Sequence, residues 1–319
     1  MTKGPPREQA AGGGVDSGPG RPGRLYPRLP KGYNPRGMRR AIINADDFGL
    51  CRGVNEGIIK AHREGVLTSA TLMANMPGFE EAVGLARENP RLGVGIHLNI
   101  LRGKPVSPPD KVRTLLAPSG LMLGSVYVFL RRLWAGRISP ADVEAELRAQ
   151  VEKVLAAGVP ATHADSEKHI HAIPAVFRTV ARLLPEYGLR RVRFINEFCF
   201  SPRPAQTAKS WAISLACRRM RRCLREHAIM TADRFYGLCG SGRMTVRRLA
   251  RILERLGEGT AEIMVHPGYM TDELVALERL TGSYYINNRR ELELRTLLDP
   301  AVREVVTRRS IELTTYREI

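Results

Sequence analysis

Asp46 and Asp47 stand next to each other just after an apolar run, Ala41-Ile-Ile-Asn-Ala45. Consecutive side chains at a strand end diverge, so one carboxylate can hold a cation while the other faces a reacting group. An isolated Asp-Asp pair also reads as a helix cap beside a solvated acid. His97 lies in Gly-Ile-His-Leu, where a single histidine is equally a core residue bonded to backbone. Asp165, Glu167, His169 and His171 fall within seven residues, beside His163, a density that points to a divalent cation. His266 opens His-Pro-Gly-Tyr269, whereas His62 and His227 fall in helical segments and read as surface residues. Asn44, Asp165, Asn196 and Tyr269 flank the same segment ends and are the candidate substrate contacts. A mixed carboxylate and imidazole set without cysteine suits metal-assisted hydrolysis, in which a cation polarises a carbonyl and a nearby carboxylate takes a proton from water. No GxSxG is present, which argues against a nucleophile-elbow hydrolase.

The elements that must position these residues follow one grammar. Five short apolar segments read as strands: Arg40–Ala45, Gly93–Asn99, Pro160–Asp165, Arg191–Glu197 and Ala261–Tyr269, each with Asp, His or Asn at or near its end. Helical periodicity lies between them. Val54, Ile58, Ile59, Val66 and Leu67 bracket the first helix, and Val143, Leu147, Val151, Val154 and Leu155 mark one that opens at Ser139-Pro140 and stops at Gly158. Val176 to Leu184 and Val246 to Leu256 mark two more. Strands alternating with helices predict parallel βαβ units and an α/β fold. A doubly wound sheet would carry a Gly-rich phosphate loop after its first strand, and none follows Ala45. The expectation is an irregular (β/α) barrel with its active site at the C-terminal ends of the strands.

The 319 residues carry a net charge of +18, with 43% hydrophobic and 26% charged side chains, a globular composition. Residues 1–40 hold nine basic and two acidic side chains, and residues 190–225 hold ten and one, so two segments supply nearly all the excess. Residues 1–38, rich in Gly, Pro and Arg, predict a disordered basic tail; residues 39–319 predict a single barrel domain with a basic helical insertion near 203–228. Trp211 to Arg225 mixes apolar and Arg residues at helical spacing. That is either an ordinary helix packed on the barrel or an amphipathic one touching an anionic membrane. Nucleic-acid binding is disfavoured because the basic stretches lack interleaved aromatics. Five scattered cysteines without CxxC predict no disulfide framework. With no apolar signal core and no long apolar run, the expected location is the cytoplasm, the basic helix opening the option of peripheral contact at the inner membrane face. Homo-oligomerisation stays open.

Asn44-Ala-Asp-Asp-Phe-Gly-Leu50 is followed in order by Asn55-Glu-Gly-Ile-Ile59, Gly65-Val-Leu-Thr-Ser69, Gly95-Ile-His-Leu98, Gly103-Lys-Pro105, Thr162-His-Ala-Asp-Ser166, His169-Ile-His171 and Val265-His-Pro-Gly268. This series resembles the YdjC-like carbohydrate deacetylases, which include chitooligosaccharide and hopanoid-biosynthesis deacetylases, over about residues 40–300. The resemblance implies divalent-metal-dependent removal of an N-acetyl group from an amino sugar, in an oligosaccharide or a lipid-linked glycan, with release of acetate. It implies Asp46 as general base, Asp47 and His97 as metal ligands and His266 near the leaving amine. It implies Mg²⁺, while Zn²⁺, Mn²⁺ and Co²⁺ tolerate the same donors. One position departs: the family usually carries a histidine directly after Asp-Ser, and here that residue is Glu167. Glu167 can ligate in its place, at the cost of one more negative charge, or His169 or His171 takes over. The alternative is a metal-free, glycan-binding relative in which catalysis is lost.

Overall fold

Ala41-Ile42-Ile43 has no solvent-exposed face, as expected for a strand flanked by others and covered on both sides. In the computed structural model, which describes residues 1, 2, 4, 37–200, 204–281 and 289–319, that run is the heart of β1 (Arg39–Phe48). The other strands are β2 (Ser69–Leu72), β3 (Gly93–Leu98), β4 (Ala164–Ser166), β5 (Arg234–Tyr236), β6 (Gly259–Val265) and β7 (Ile311–Leu313). The helices are α1 (Arg52–Glu64), α2 (Phe79–Glu88), α3 (Val126–Trp134), α4 (Pro140–Ala156), α5 (Pro174–Glu186), α6 (Pro204–Arg219), α7 (Arg221–Glu226), α8 (Val246–Glu254), α9 (Asp272–Thr281), α10 (Arg289–Leu298) and α11 (Pro300–Arg308).

The pairing closes on itself. β1 lies between β2 and β6, and β2, β3 and β4 follow in order, all parallel. Beyond β4, Ala164 bridges Val192, and Arg191 bridges Met230. The chain then runs from Met230 into β5, which pairs with β6. The irregular β/α barrel expected from the sequence is therefore the fold, and its strands point their C-terminal ends at one mouth. β7 pairs with the first residues of β1, at the opposite end.

Two expected strands are shorter than their apolar runs. Pro160–Asp165 contributes only Ala164–Ser166, and Arg191–Glu197 is reduced to the bridges at Arg191 and Val192. Asn196 instead receives the Phe235 amide on its Oδ1 and donates to the Asp233 carbonyl, lacing this loop to β5 through a side chain. The helix expected from Ser139-Pro140 is α4, with the Ser139 hydroxyl accepting from the Asp142 amide. His62 and His227, expected on the surface, are half-buried, with Nδ1 close to the carbonyls of Leu67 and Cys223.

The basic segment near 203–228 forms α6 and α7 from Pro204 onward. Ser210, Ser214 and Cys217 face inward, while Trp211 and Leu215 are exposed. The tail expected over residues 1–38 lies outside the described residues apart from 1, 2, 4, 37 and 38. The cysteine scatter gives no sign of a cross-link, yet Cys199 and Cys239, 40 residues apart, are joined as a disulfide between the segment after Asn196 and the loop after β5. No helix among the described residues is long and apolar enough to cross a membrane.

Candidate active site at the barrel mouth

The end of β1 is irregular. Ala45 pairs with Ala70 and Phe48 with Leu72, so β1 has one more residue than β2 between these pairs. The bulge falls on Asp46 and Asp47, and Asp47 has φ 70°, a conformation uncommon outside glycine. A bulge re-aims side chains locally. Asp47 is thereby turned toward β3, while Asp46 meets an arginine arriving from beyond β4. Lys168 and His169, in the 3-10 turn over Glu167–Ala172, have φ 50° and 58°. Such left-handed residues cost on the order of 1–3 kcal/mol each and persist where surrounding structure enforces them. Three of them line one pocket.

His97 and Asp165 are register partners on adjacent strands, and His97 Nδ1 lies 2.7 Å from Asp165 Oδ1. Thr71 donates to the other oxygen of Asp165. Gly95, two residues below His97 on the same strand face, is required by packing: a Cβ there would sit 2.4 Å from the His163 ring. Burial pushes the His97 pKa down, but the Asp165 carboxylate more than offsets it and holds it well above the usual histidine range. The outward nitrogen, Nε2, is buried and makes no hydrogen bond. It faces Asp47 Oδ1 at 3.8 Å and Glu167 Oε2 at 3.6 Å, too far for hydrogen bonds and close to the edge of a tetrahedron with arms of about 2.1 Å. Asp47, His97 and Glu167 thus offer converging oxygen, nitrogen and oxygen donors with an orphaned imidazole nitrogen among them. That donor set fits a divalent cation. Nδ1 bound to a carboxylate is the usual support for a histidine that ligates through its other nitrogen.

Asp46 is held differently. Arg193 grips it with both terminal nitrogens, at 2.8 and 2.6 Å, while also pairing with Asp165 at 2.8 Å and Glu262 at 2.8 Å. Tyr316 donates to the far oxygen of Glu262. Arg193 is fully buried, and a guanidinium fork matched to carboxylates is what makes such burial tolerable. Burial alone would push the Asp46 carboxyl up, but Arg193 beside it brings it below the usual carboxylate range. Asp47 is likewise lowered by Arg290 of α10, 2.5 Å away, against the opposing effect of burial. His266 follows β6 directly, with Nε2 3.9 Å from Asp46 and its backbone amide donating to Glu293 at 2.6 Å. Burial works against the imidazolium, but Glu293 and Asp46 outweigh it and raise the His266 pKa.

Asp46, Asp47, His97, Glu167 and His266 therefore meet in one pocket, lined also by Lys168, His169, Lys209 and Ser241. The alternatives for Glu167 do not join the donor cluster. His169 lines the pocket wall, whereas His171 is bonded to Ser166 and close to the Arg193 carbonyl, and burial pushes its pKa down to about 3. The expected substrate contacts sit behind or beside the pocket. Asp165 is fully buried behind His97, and Asn44 is buried and donates to Asp46. Asn196 ties the backbone of β5, and Tyr269 donates its backbone amide to the Gly53 carbonyl. Residue type at a strand end cannot tell which side of the first ring of contacts a polar group occupies. Lys209, Ser241 and the three supporting arginines, Arg193, Arg290 and Arg102, the last with Nε 3.1 Å from Glu167 Oε1, were invisible to sequence reasoning, being single residues of common type in distant segments. From the pocket, beyond Lys168, His169 and Lys209, a groove continues between α3 and α6, lined by Tyr127, Leu130, Trp134, Ile173, Ala212 and Ile213.

A bulged Asp-Asp, a carboxylate-backed histidine and a buried oxygen–nitrogen donor cluster that could hold a metal ion meet at the mouth of a parallel barrel. Residues 40–308 match the family model described as "YdjC-like protein", and the chain belongs to that family. It is 39% identical to a carbohydrate deacetylase of Brevibacillus brevis, covering 88% of this chain and 99% of that one. A chitooligosaccharide deacetylase of Proteus mirabilis is 29% identical, with 87% and 98% covered. Among solved structures, a protein of Enterococcus faecalis V583 named for cellobiose-phosphate cleavage is similar, with a TM-score of 0.69, 26% identity, and 88% and 98% of the two chains covered.

Proposed function

We propose that this chain is a metal-dependent carbohydrate deacetylase, hydrolysing the N-acetyl amide of an amino sugar to acetate and a free amine. The observation that carries the reading is the buried, unbonded His97 Nε2 facing Asp47 and Glu167, beside an Asp46 that is ionised but outside that cluster. The names of its relatives supply the sugar.

Asp47, His97 and Glu167 would hold the cation. When bound, it supplies Lewis acidity toward the amide carbonyl and the oxyanion that develops there. Asp46 is ionised near neutrality because of Arg193, so it can take a proton from the attacking water. Arg193 fixes the direction of both Asp46 oxygens. Glu293 and Asp46 favour the protonated form of His266, from which a proton would pass to the departing nitrogen as the C–N bond breaks. Lys168, Lys209 and Ser241 line the same pocket and would meet the hydroxyls of the sugar. Mg²⁺ comes from the family resemblance; the donor set equally accommodates Zn²⁺, Mn²⁺ or Co²⁺.

The groove lined by Tyr127, Leu130, Trp134 and Ile213 offers aromatic and aliphatic walls that suit the faces of further sugar rings as well as the apolar far end of a lipid-linked glycan. In that form, the basic helices α6 and α7 would rest against anionic lipid on the cytoplasmic side, and salt-sensitive flotation with anionic vesicles tests this.

The test of the activity is acetate release from short N-acetylglucosamine oligomers, with a chelator and then with each divalent ion restored. Release that the chelator stops and one ion restores is expected. Release that persists in chelator overturns the metal assignment. No release, together with no bound metal, favours the metal-free glycan-binding reading, in which Arg102 and Arg290 neutralise Glu167 and Asp47 without an ion.

A further inference from the structure

Arg193, whose fork grips Asp46, is itself held from its stem side. Its Nε and Nη2 each lie 2.8 Å from Glu262 Oε1, and Nη1 lies 2.8 Å from Asp165 Oδ2. All three nitrogens are engaged, so the plane of the guanidinium is fixed by carboxylates other than the one it presents. Asp46 Oδ1 is shared by Arg193 and Asn44, while Oδ2, bonded to Arg193 Nη1, is the oxygen 3.9 Å from His266.

Glu262 stands on β6 and is fully buried, and its second oxygen accepts the Tyr316 hydroxyl. Tyr316 is equally buried, its ring stacked on His163 with centroids 3.8 Å apart. It lies in the 3-10 turn Tyr316–Glu318 after β7, and that turn is tied down on several sides. Thr315 and Glu318 cap it reciprocally, Thr314 donates its amide to the Ala41 carbonyl, and Arg317 donates to the carbonyls of Pro90 and Leu92. One polar chain, Tyr316 to Glu262 to Arg193 to Asp46, thus runs from the end of the barrel opposite the mouth to the mouth itself. Neither Tyr316 nor Glu262 is among the residues that line the pocket.

We propose that Tyr316 and Glu262 are positioning residues for the base: the hydroxyl fixes the Glu262 carboxylate, the carboxylate fixes the roll of the Arg193 guanidinium, and Arg193 then aims Asp46 Oδ2 past His266 into the pocket. The proposal rests on the reading of Asp46 as general base above. Without the hydroxyl, Glu262 Oε2 is a buried acceptor lacking its donor, which is costly. The guanidinium already on its other oxygen is the group it can turn to, and that turn draws Nη2 away from Asp46.

The experiment measures acetate release from N-acetylglucosamine oligomers per bound metal ion, so that partly folded chains do not count. Tyr316→Phe should lower kcat at least about fivefold with KM unchanged, the mark of an interaction used only in the transition state. Glu262→Gln keeps an acceptor for Arg193 and can donate to the Tyr316 oxygen, so its kcat should stay within about threefold of native. Glu262→Met should lose at least about tenfold, and adding Tyr316→Phe to it should cost nothing further. Glu318→Ala loosens the same turn without touching Glu262; it should lower Tm and leave kcat alone. A second readout needs no substrate. The Arg193 Nε–H proton, assigned by its disappearance in Arg193→Lys, should exchange with water at least about tenfold faster in Tyr316→Phe than in the native chain or Glu318→Ala. Native kcat and native exchange in Tyr316→Phe, additive losses in the cycle, or an equal kcat loss in Glu318→Ala each overturn the proposal. A native chain that releases no acetate and binds no metal overturns the deacetylase reading instead, and the exchange rates then decide separately whether Tyr316 holds Arg193.

Discussion

Asp46 and His266 divide the proton chemistry, and their surroundings set opposite preferences. Asp46 is pushed toward the ionised form by Arg193 and His266 toward the protonated form by Glu293. Asp46→Asn should abolish turnover by about a thousandfold or more while metal content stays native, because the amide neither takes a proton nor sits in the donor cluster. The check is kcat beside bound-metal analysis, and retained turnover would remove the base assignment. The raised His266 pKa keeps its proton available to higher pH, so it governs the alkaline limb. Glu293→Gln removes the nearby negative charge, lowers that pKa and should move the alkaline limb of the kcat profile to lower pH, leaving the acid limb in place. At this scale the sequence displayed the reacting side chains, because paired carboxylates and clustered imidazoles are costly without a use. It hid their partners. One arginine among 50 Lys and Arg carries no mark that it will grip Asp46.

Between elements, the geometry of the site depends on how closely α1 and the loop after β6 approach. A Cβ on Gly57 would lie 2.5 Å from the Gly268 Cα and 3.0 Å from its amide nitrogen, both backbone atoms that cannot rotate away. Gly57→Ala should destabilise the fold by about 1–3 kcal/mol and, by pushing the His266-Pro-Gly segment outward, lower kcat more than KM changes. Denaturant melts and steady-state kinetics measure the two effects, and unchanged kcat in a destabilised protein would separate packing from positioning. The long strands β1, β3 and β6 were legible because their apolar runs are continuous. β2, β5 and β7, three or four residues each, were not, since such short runs acquire strand geometry from their neighbours. The bulge on β1 was equally hidden: it is a register difference, and register exists only between strands.

Across the whole molecule, the mouth concentrates Asp46, Asp47, Asp165, Glu167 and Glu262 in buried space, balanced by Arg193, Arg290 and Arg102. An ion held by Asp47, His97 and Glu167 binds only the folded chain, so it must stabilise it. At a hundred times its Kd the gain is about 2.7 kcal/mol, a rise of several degrees in Tm for a chain of this size. Thermal melts with and without the ion should show that rise in the native chain and its loss in Asp47→Asn; identical melts would argue against the donor cluster. By itself, the sequence determined the alternation of strands and helices, the barrel, and which residue types would do chemistry at the strand ends, because periodicity and composition are local properties. Only the tertiary structure decided that Glu167 rather than His169 or His171 joins Asp47 and His97, that Asp165 stands behind the site rather than in it, and that Cys199 meets Cys239. Each of these depends on distances between segments far apart in the chain, which are set when the last strand pairs close the barrel.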